Sequence, residues 1–396
     1  MIGAALRRVL GRGGPEQRAV DWLPPAFLGA PTASGKAVNP RTAESLAAVQ
    51  ACVSAIASSI ATLPAYVRRQ DGSAWIEAPE HPASRLIQAP NQWQSWPEFV
   101  ESLLASTLLH GNGLARVDVD AAGQPAALVF YPWPNVAPLL LPSGNLAFDV
   151  TQVTAIAGGT GATRRLLGDE VLLLRDRSDD GLLGRSRVSR SADAIGNALG
   201  LAEQSGAMFR NAATPSGIMA FPPGTSVENL KRAKAHFEGR HIGSGNAGQV
   251  FYADAGTEFT PIQGQSAVDA EVLASRRFAV EEVCRIFGVP PPMIGDLQFG
   301  TFTNAETAGR WFATHTLRPW VSRIEAAFQT VFAPADRGRY RLEIDMSGLL
   351  RGSETERWQS YAIARAQGIL TVDEIREAEG YNPMPAGQQP ATVADP

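Results

Sequence analysis

The sequence predicts an α+β fold in which long helices flank a block of short antiparallel strands, and three observations lead to it. Small and apolar residues recur at helical spacing over residues 41–62, 266–287 and 304–332. Between residues 114 and 175 the pattern changes to short runs separated by proline and glycine, which is typical of strands. A segment rich in proline and glycine, residues 289–303, joins two of the helical patterns. Blocks of strands and blocks of helices in one chain are typical of the α+β class.

In the N-terminal half, the first helix ends at Leu63-Pro64, and a strand over residues 65–69 follows it. A second helix starts at Ser95-Trp96-Pro97-Glu98, a capping box in which the Ser and Glu side chains bind each other's backbone N–H groups. It stops after Leu109, where His110-Gly111-Asn112-Gly113 provides glycines for a left-handed turn. The predicted strands are residues 114–119, 127–131, 136–141, 146–156 and 171–174.

In the C-terminal half, a helix over residues 189–211 contains Gly196, Gly200 and Gly206. Each costs about 1 kcal/mol relative to alanine, so we expect a neighbouring backbone to approach closely there. A compact insert with its own strands and helix follows. The strands of this insert are residues 217–221, 249–253 and 258–262, and its helix is residues 225–239. Near the C-terminus the sequence predicts a strand over residues 340–345 and helices from Ser353 and Thr371. The tail after Tyr381 is expected to be disordered.

Composition narrows the classes of function. The chain has 396 residues, of which 44% are hydrophobic, enough for about two or three domains. Its net charge of -4 gives no sign of tight, static binding to nucleic acid. Only 19% of residues are charged, which is low against a typical quarter. A low charged fraction fits an exterior that is buried against other subunits, and it fits equally a chain with many loops.

Cysteine usage and the N-terminus add further expectations. Cys52 and Cys284 each lie in a helical apolar pattern without a CxxC motif, so we expect two reduced, buried thiols in a cytosolic protein. Ser and Gln interrupt the longest apolar runs, which argues against a transmembrane helix. Residues 1–25 carry four arginines and no apolar stretch long enough for a secretory signal, so they predict a flexible basic arm.

The sequence contains short matches to cofactor-binding motifs, but each lacks the neighbouring residues or elements that the function requires. Residues 243–248 match GxGxxG, but a helix precedes them and a strand follows, so we interpret them as a turn. Ser34-Gly35-Lys36 lacks the first glycine and the last hydroxyl of a phosphate loop. His236 and His241 point to different faces of a helix and have no acidic partner for a metal. A GxSxG nucleophile elbow is also lacking.

An acidic turn is the remaining candidate for a cation site. Asp176, Asp179 and Asp180 lack the ligand alternation of a calcium loop, and we expect a surface turn there. We therefore expect no metal site, no cofactor and no catalysis. The alternatives are a hydrolase whose active site has no familiar motif, and an oligomeric assembly protein with no role on DNA.

The segment over residues 289–303 predicts an elbow followed by a free loop. Pro290, Pro291 and Pro292 remove backbone donors, so we expect an extended, non-helical path from Gly288 to Gly295. Residues 296–303 would be the part free to move. A connection between packed helices with Phe299 and Phe302 buried is the alternative. So long a segment without regular structure is uncommon inside a compact domain and is often functional.

Short motifs occur along the chain in a fixed order. They are Ala51-Cys52-Val53, Ile60-Ala61-Thr62-Leu63-Pro64, His81-Pro82, Pro90-Asn91, Leu109-His110-Gly111-Asn112-Gly113, Asp179-Asp180-Gly181-Leu182-Leu183-Gly184-Arg185-Ser186, Phe209-Arg210-Asn211-Ala212, Ile286-Phe287-Gly288-Val289-Pro290-Pro291 and Asn304-Ala305-Glu306. In this order, over about residues 41–383, they resemble the portal proteins of tailed phages. The chain is similar to the compact version found in long-tailed phages, prophages and gene transfer agents.

The resemblance implies a portal fold with an α/β wing, a two-helix stem, a small α/β clip and a short helical crown. It implies a ring of about twelve copies at one capsid vertex. Such a ring conducts double-stranded DNA during packaging and ejection, contacts the major capsid protein, and docks the terminase large subunit and later a head–tail adaptor protein. It would belong to a virion or phage-like particle assembled in the bacterial cytoplasm, with no membrane partner and no catalysis of its own.

Positions in the family assign a part to each segment. The N-terminal arm would be residues 1–40, the wing 41–188 and 339–352, the stem helices 189–212 and 266–288, the clip 213–265, the tunnel loop 289–303, the helix behind it 304–338, the crown 353–380 and the tail 381–396. The channel would be lined by Gln298, Phe299, Thr301, Phe302 and Asn304. Lys231, Arg232 and Lys234 would contact DNA or the adaptor from the clip, or form a solvated face. Gly288, Pro290, Pro291, Pro292 and Gly295 would form the elbow of the loop.

Overall fold

A computed structural model describes residues 30–151, 161–210, 218–220, 226–229, 231–232, 258–260, 266–296, 302–350 and 354–384. It confirms the predicted α+β class. The chain divides into two compact units, residues 1–344 and 345–396. Among the described residues, none of the helices combines the length and the apolar character needed to cross a membrane.

The described strands are short, and all of their pairings are antiparallel. They form sheets with the orders β10-β5-β6, β13-β3-β4 and β7-β8-β9, together with the pairs β1-β2 and β11-β12. In chain order they are β1 (Ala30–Pro31), β2 (Ala37–Val38), β3 (Ala65–Asp71), β4 (Ala74–Glu77), β5 (Asn112–Val119), β6 (Pro125–Tyr131), β7 (Val136–Leu140), β8 (Leu146–Thr151), β9 (Thr163–Leu167), β10 (Val171–Arg175), β11 (Ile218–Ala220), β12 (Glu258–Thr260) and β13 (Tyr340–Ile344).

The described α-helices carry about half of the buried apolar residues. They are α1 (Pro40–Glu44), α2 (Ala47–Ala61), α3 (Pro82–Gln88), α4 (Trp96–His110), α5 (Arg187–Arg190), α6 (Ala192–Arg210), α7 (Ser266–Phe287), α8 (Phe302–Trp311), α9 (Arg318–Ala327), α10 (Ser347–Leu350), α11 (Glu354–Ala366) and α12 (Val372–Ala378). Short 3₁₀ turns lie at Trp133–Asn135, Pro291–Ile294 and Phe328–Thr330, and a π-helix at Phe312–Leu317.

Local capping residues set the bounds of α4, as the sequence predicts. The Ser95 and Glu98 side chains form the capping box at its start. Gly111 ends it in the left-handed region with φ 89°, which residues with a side chain adopt at a cost. The helix packs on α2, and Ile56, Phe99 and Leu104 are almost fully buried there. α4 also packs on β5, β6 and β10, so the helix pair supports that sheet.

The strand β9 was not predicted. The pattern predicts that the preceding strand runs to residue 156, of which residues 152–156 lie outside the described residues. The described β8, Leu146–Thr151, pairs with β9. Only Leu166 of β9 is buried, while Arg164 and Arg165 point to solvent. An edge strand with a single buried side chain carries too little alternation to be recognised.

The expected N-terminal arm is shorter than residues 1–40. The hairpin β1-β2 lies against α6, and the Ala33 N–H donates to Asp193 Oδ1 at 3.0 Å. A Cβ on Gly196 would lie 2.7 Å from Thr32 Oγ1, so this glycine makes room for the hairpin. The expected close approach is thus to the hairpin's side chains, and a Cβ on Gly200 would meet nothing within 4 Å. Residues 1–29 lie outside the described residues.

The helices α6 and α7 lie side by side, and α7 also packs on α2. Cys52 of α2 and Cys284 of α7 are both free and buried, as expected, and a hydrogen bond joins their thiols. That bond and burial raise the pKa of the Cys52 thiol above its ordinary value. The thiols therefore belong to the contact that fixes α7 on the N-terminal helices.

The second unit has the two helices expected at Ser353 and Thr371. Thr371 and Glu374 form the predicted capping box of α12. Glu379 joins the helices, since Arg357 Nε lies 2.7 Å from Glu379 Oε1 and the Tyr361 hydroxyl donates to the same oxygen at 3.0 Å. The boundary between the units falls within the expected wing segment 339–352, because β13 pairs with β3 in the first unit.

Candidate functional site

Half of the predicted channel and clip residues lie beyond the described part of the chain. Gln298, Phe299, Thr301 and Lys234 are among them, as are the GxGxxG turn at 243–248 and the histidines His236 and His241. Phe302 and Asn304 fall in the first turn of α8. Lys231 and Arg232 are exposed on helical backbone. Of the predicted groups, only the elbow is described in full.

The elbow begins at Gly288, whose φ of 73° ends α7. Pro290 is extended, with φ -63° and ψ 135°, as predicted. The expected absence of helix is wrong for Pro291–Ile294, which forms a 3₁₀ turn closed by Gly295 with φ 87°. Prolines fit there because the first N–H groups of a helical turn have no partner within it. The elbow is thus a fixed shape rather than an extended path.

A π-helix supports the elbow from behind. The sequence predicts one continuous helix over residues 304–332, but Phe312–Leu317 is wound more widely. Pro319 has no N–H for the His315 carbonyl and its ring occupies that space, which favours the wider turn. The buried Thr316 lies in this turn, and its hydroxyl donates to the Gly288 carbonyl. The start of the elbow is therefore tied to the helix that follows the loop.

The carboxylate of Asp176 lies below the elbow and is buried, although the sequence predicts a surface turn there. Asp176 is only 7% exposed, and it binds two arginines from distant parts of the chain. Arg187 Nε lies 2.6 Å from Oδ2, and Arg323 Nη1 lies 2.9 Å from Oδ1. Burial by itself would raise the pKa of Asp176, but the hydrogen bonds and charges of the two guanidinium groups bring it below its ordinary value.

The same arginines reach the end of α7. Arg187 Nη1 donates to the carbonyls of Phe287 at 2.9 Å and Ile286 at 3.3 Å, which the helix itself leaves unpaired. Both guanidinium groups lie over the Trp320 ring, at 5.3 Å for Arg187 and 4.8 Å for Arg323. The Asp176–Arg187–Arg323 cluster thus joins β10, α5, α7 and α9 directly beneath the elbow.

The other two aspartates do lie in a surface turn, as predicted. Asp179 pairs with Arg190 at 2.6 Å and with Arg185 at 3.2 Å, and these bonds lower its pKa. Asp180 Oδ1 accepts the backbone N–H groups of Leu182 and Leu183. Both oxygens of Asp179 and Oδ1 of Asp180 are thus bound by partners in the chain. Among the described residues, no group of three or more His, Cys, Asp or Glu could hold a metal ion.

A cavity of about 130 Å³ separates the elbow from the cluster. Arg187, Gly288, Thr316, Trp320 and Arg323 line it, and Trp311 and His315 form its outer edge. Those two rings stack with centroids 5.1 Å apart, and Trp311 is 46% exposed. Sequence reasoning missed this site because its charges lie up to 147 residues apart and each one has the pattern of a surface residue.

Comparison with known proteins gives consistent results. A model of the family described as phage portal protein matches residues 47–380. The probable portal protein of Streptomyces phage phiC31 is 30% identical over 391 residues, covering 94% of this chain and 83% of the relative. The portal protein of Enterobacteria phage HK97 is 28% identical over 366 residues, covering 88% of this chain and 82% of the relative.

Solved structures share the fold. The chain is similar to one from the neck of an empty gene transfer agent particle computed with C6 symmetry, with a TM-score of 0.63, 25% identity, and coverage of 92% of this chain and 95% of that one. It is also similar to an HK97-family phage portal protein from Corynebacterium diphtheriae, with a TM-score of 0.55, 16% identity, and coverage of 78% and 96%. The family match spans α2, the elbow, the buried cluster and α12, and the chain therefore belongs to the phage portal protein family.

Proposed function

We propose that the chain is the subunit of a portal ring that conducts double-stranded DNA through one vertex of a phage-like particle. Membership of a family of structural virion proteins supports this. Similar chains come from gene transfer agent necks computed with C6 and C12 symmetry, which supports a ring, with about twelve copies expected. Assembly would take place in the bacterial cytoplasm, and the ring would remain in the virion.

The observation that carries the proposal is the position of the elbow. It starts where α7 ends, and Thr316 together with the Asp176–Arg187–Arg323 cluster holds that point to the rest of the first unit. Residues 297–301 follow the elbow directly. A loop that leaves a fixed base can reach into a channel without moving the ring, so we assign channel lining to Gln298, Phe299, Thr301, Phe302 and Asn304.

The remaining parts are assigned in the same way. The stem would be residues 189–212 and 266–288, which contain α6 and α7. The wing would be residues 41–188 and 339–352, and the crown residues 353–380. The strands β11 and β12 pair in register from Ile218↔Thr260, which closes the base of the segment between the stem helices. A segment closed at its base can fold as a module, which supports its assignment as the clip.

The clip and the wing would carry the protein partners. The terminase large subunit and later the head–tail adaptor would dock on the clip, where Lys231 and Arg232 are exposed. The major capsid protein would contact the wing. A net charge of -4 suits a channel through which DNA must slide, because strong phosphate binding would hold it. The alternative, a hydrolase, is favoured by no feature of the described residues.

Negative-stain electron microscopy of the purified protein tests the ring. We expect rings with a central channel wide enough for duplex DNA, and compact monomers with turnover of a substrate would refute the proposal. Deletion of Gln298–Thr301 tests the loop separately. Rings should still form while DNA packaging falls, and unchanged packaging by such rings would exclude the channel role of the loop.

A further inference from the structure

We propose that the cavity between the elbow and Asp176 binds a phosphate group. Its volume of about 130 Å³ suits a small tetrahedral anion or one side chain. The guanidinium groups of Arg187 and Arg323 line the cavity, and both pair with Asp176, which is not itself a lining residue. The three charges together leave an excess of one positive charge. Arginine is suited to such a ligand, because its planar group can donate two parallel hydrogen bonds to phosphate oxygens.

The donors for the ligand are already fixed in place. In the described part of the chain, Arg323 donates only through Nη1, to Asp176, which leaves Nε and Nη2 for a ligand. Arg187 uses Nε on Asp176 and Nη1 on the end of α7, which leaves Nη2. Because Asp176 and the Trp320 ring hold both groups, little side-chain freedom remains to be lost when an anion binds.

The rest of the cavity is compatible with an anion. The carbonyls of Ile286 and Phe287 at the end of α7 would repel it, but Arg187 Nη1 already occupies them. The Gly288 carbonyl is likewise taken by the Thr316 hydroxyl. The stacked rings of Trp311 and His315 form an outer wall, and Arg323 remains 39% exposed, so a ligand can reach it from solvent.

The phosphate has two conceivable sources. One is the backbone of double-stranded DNA, and this source rests on the proposed function as a DNA conduit. The other is free phosphate, including that of a nucleotide, and it does not depend on that function. In either case the ligand would bind the arginines that hold the end of α7, and so would stabilise the base of the loop.

The test is a titration of the purified full-length protein with inorganic phosphate, followed by calorimetry, with chloride as the control anion. Arg323→Gln should weaken phosphate binding about tenfold or more, because it removes charge-assisted hydrogen bonds. Arg323→Lys should restore part of the affinity but not the two-oxygen contact. Arg177→Gln is the matched control, since Arg177 is 73% exposed and lies in the surface turn.

A short DNA duplex, used as a competitor of phosphate, separates the two sources. If the duplex competes with phosphate and Arg323→Gln abolishes the competition, the site binds the DNA backbone. The slope of log DNA affinity against log salt concentration should then also fall by about one in this variant. Phosphate binding without competition assigns the site to free phosphate. Equal effects of Arg323→Gln and Arg177→Gln, no phosphate binding, or chloride binding as tight as phosphate would each overturn the site. Ring formation, followed by microscopy, reports on the proposed function independently of these results.

Discussion

The side-chain amide of Asn112 hydrogen-bonds the backbone of Gly184 at both of its ends. Asn112 Oδ1 accepts the Gly184 N–H at 2.8 Å, and Asn112 Nδ2 donates to the Gly184 carbonyl at 2.8 Å. The two residues are 72 positions apart, one at the start of β5 and the other just before α5. This clamp therefore fixes the segment that leads from the sheet into α6 and carries Arg187.

Replacing Asn112 by alanine removes both bonds from a buried backbone. We expect the free energy of unfolding to fall by about 2–4 kcal/mol, because an unsatisfied buried polar group costs about 1–3 kcal/mol. Urea unfolding followed by circular dichroism measures the change. Asn145→Ala, at an exposed turn, is the control and should unfold like the parent protein. Equal midpoints for the two variants would contradict the clamp.

Gly184 has no room for a side chain. A Cβ there would lie 2.1 Å from the Gly111 carbonyl oxygen, and backbone rather than a flexible side chain would have to shift. We expect Gly184→Ala to cost about 3 kcal/mol or more. Gly200→Ala, where a Cβ meets nothing within 4 Å, should instead stabilise α6 by about 0.5–1 kcal/mol. Thermal unfolding of both variants checks the opposite signs.

Asp176→Asn tests the buried cluster. Leaving Arg187 and Arg323 without their carboxylate should lower the free energy of unfolding by about 3 kcal/mol or more at neutral pH. Because the pKa of Asp176 is below its ordinary value in the folded protein, its contribution is complete above the unfolded pKa of about 3.9. The contribution is lost as the pH falls through the folded pKa.

The difference between the parent and Asp176→Asn should therefore shrink below about pH 4. Unfolding by urea at a series of pH values between neutral and acid measures it. Asp179→Asn is the matched control in the exposed turn, and its effect should be much smaller. A constant difference between parent and Asp176→Asn at every pH would show that the carboxylate charge is not what stabilises the cluster.

His110 should make the protein sensitive to mild acid. Burial lowers its pKa from 6.5 to about 4, so the unfolded chain binds a proton more readily than the folded one. Its stabilising effect is complete above pH 6.5 and is lost as the pH falls towards 4. We expect His110→Gln to flatten the pH dependence of the unfolding midpoint in this window, and urea unfolding at a series of pH values measures it. An unchanged slope would contradict the role of His110.

Local signals in the sequence predicted much of the fold correctly. The capping boxes at Ser95 and Thr371 and the glycine stops at Gly111 and Gly288 act over a few residues, so the helix ends could be predicted without a tertiary structure. The order of short motifs likewise predicted the family that the comparison with known proteins confirms. The assignment of channel, clip and elbow residues to functions stays a prediction.

The sequence by itself determined the α+β class, most helix and strand positions and the family, because these depend on neighbours along the chain. The tertiary structure alone decided that Asp176 is buried with Arg187 and Arg323, and that Asn112 clamps Gly184. It also decided that the elbow is a 3₁₀ turn tied to Thr316. The partners in these contacts are 11 to 147 residues apart, and no periodicity or spacing records which distant groups meet once apolar burial has brought their elements together.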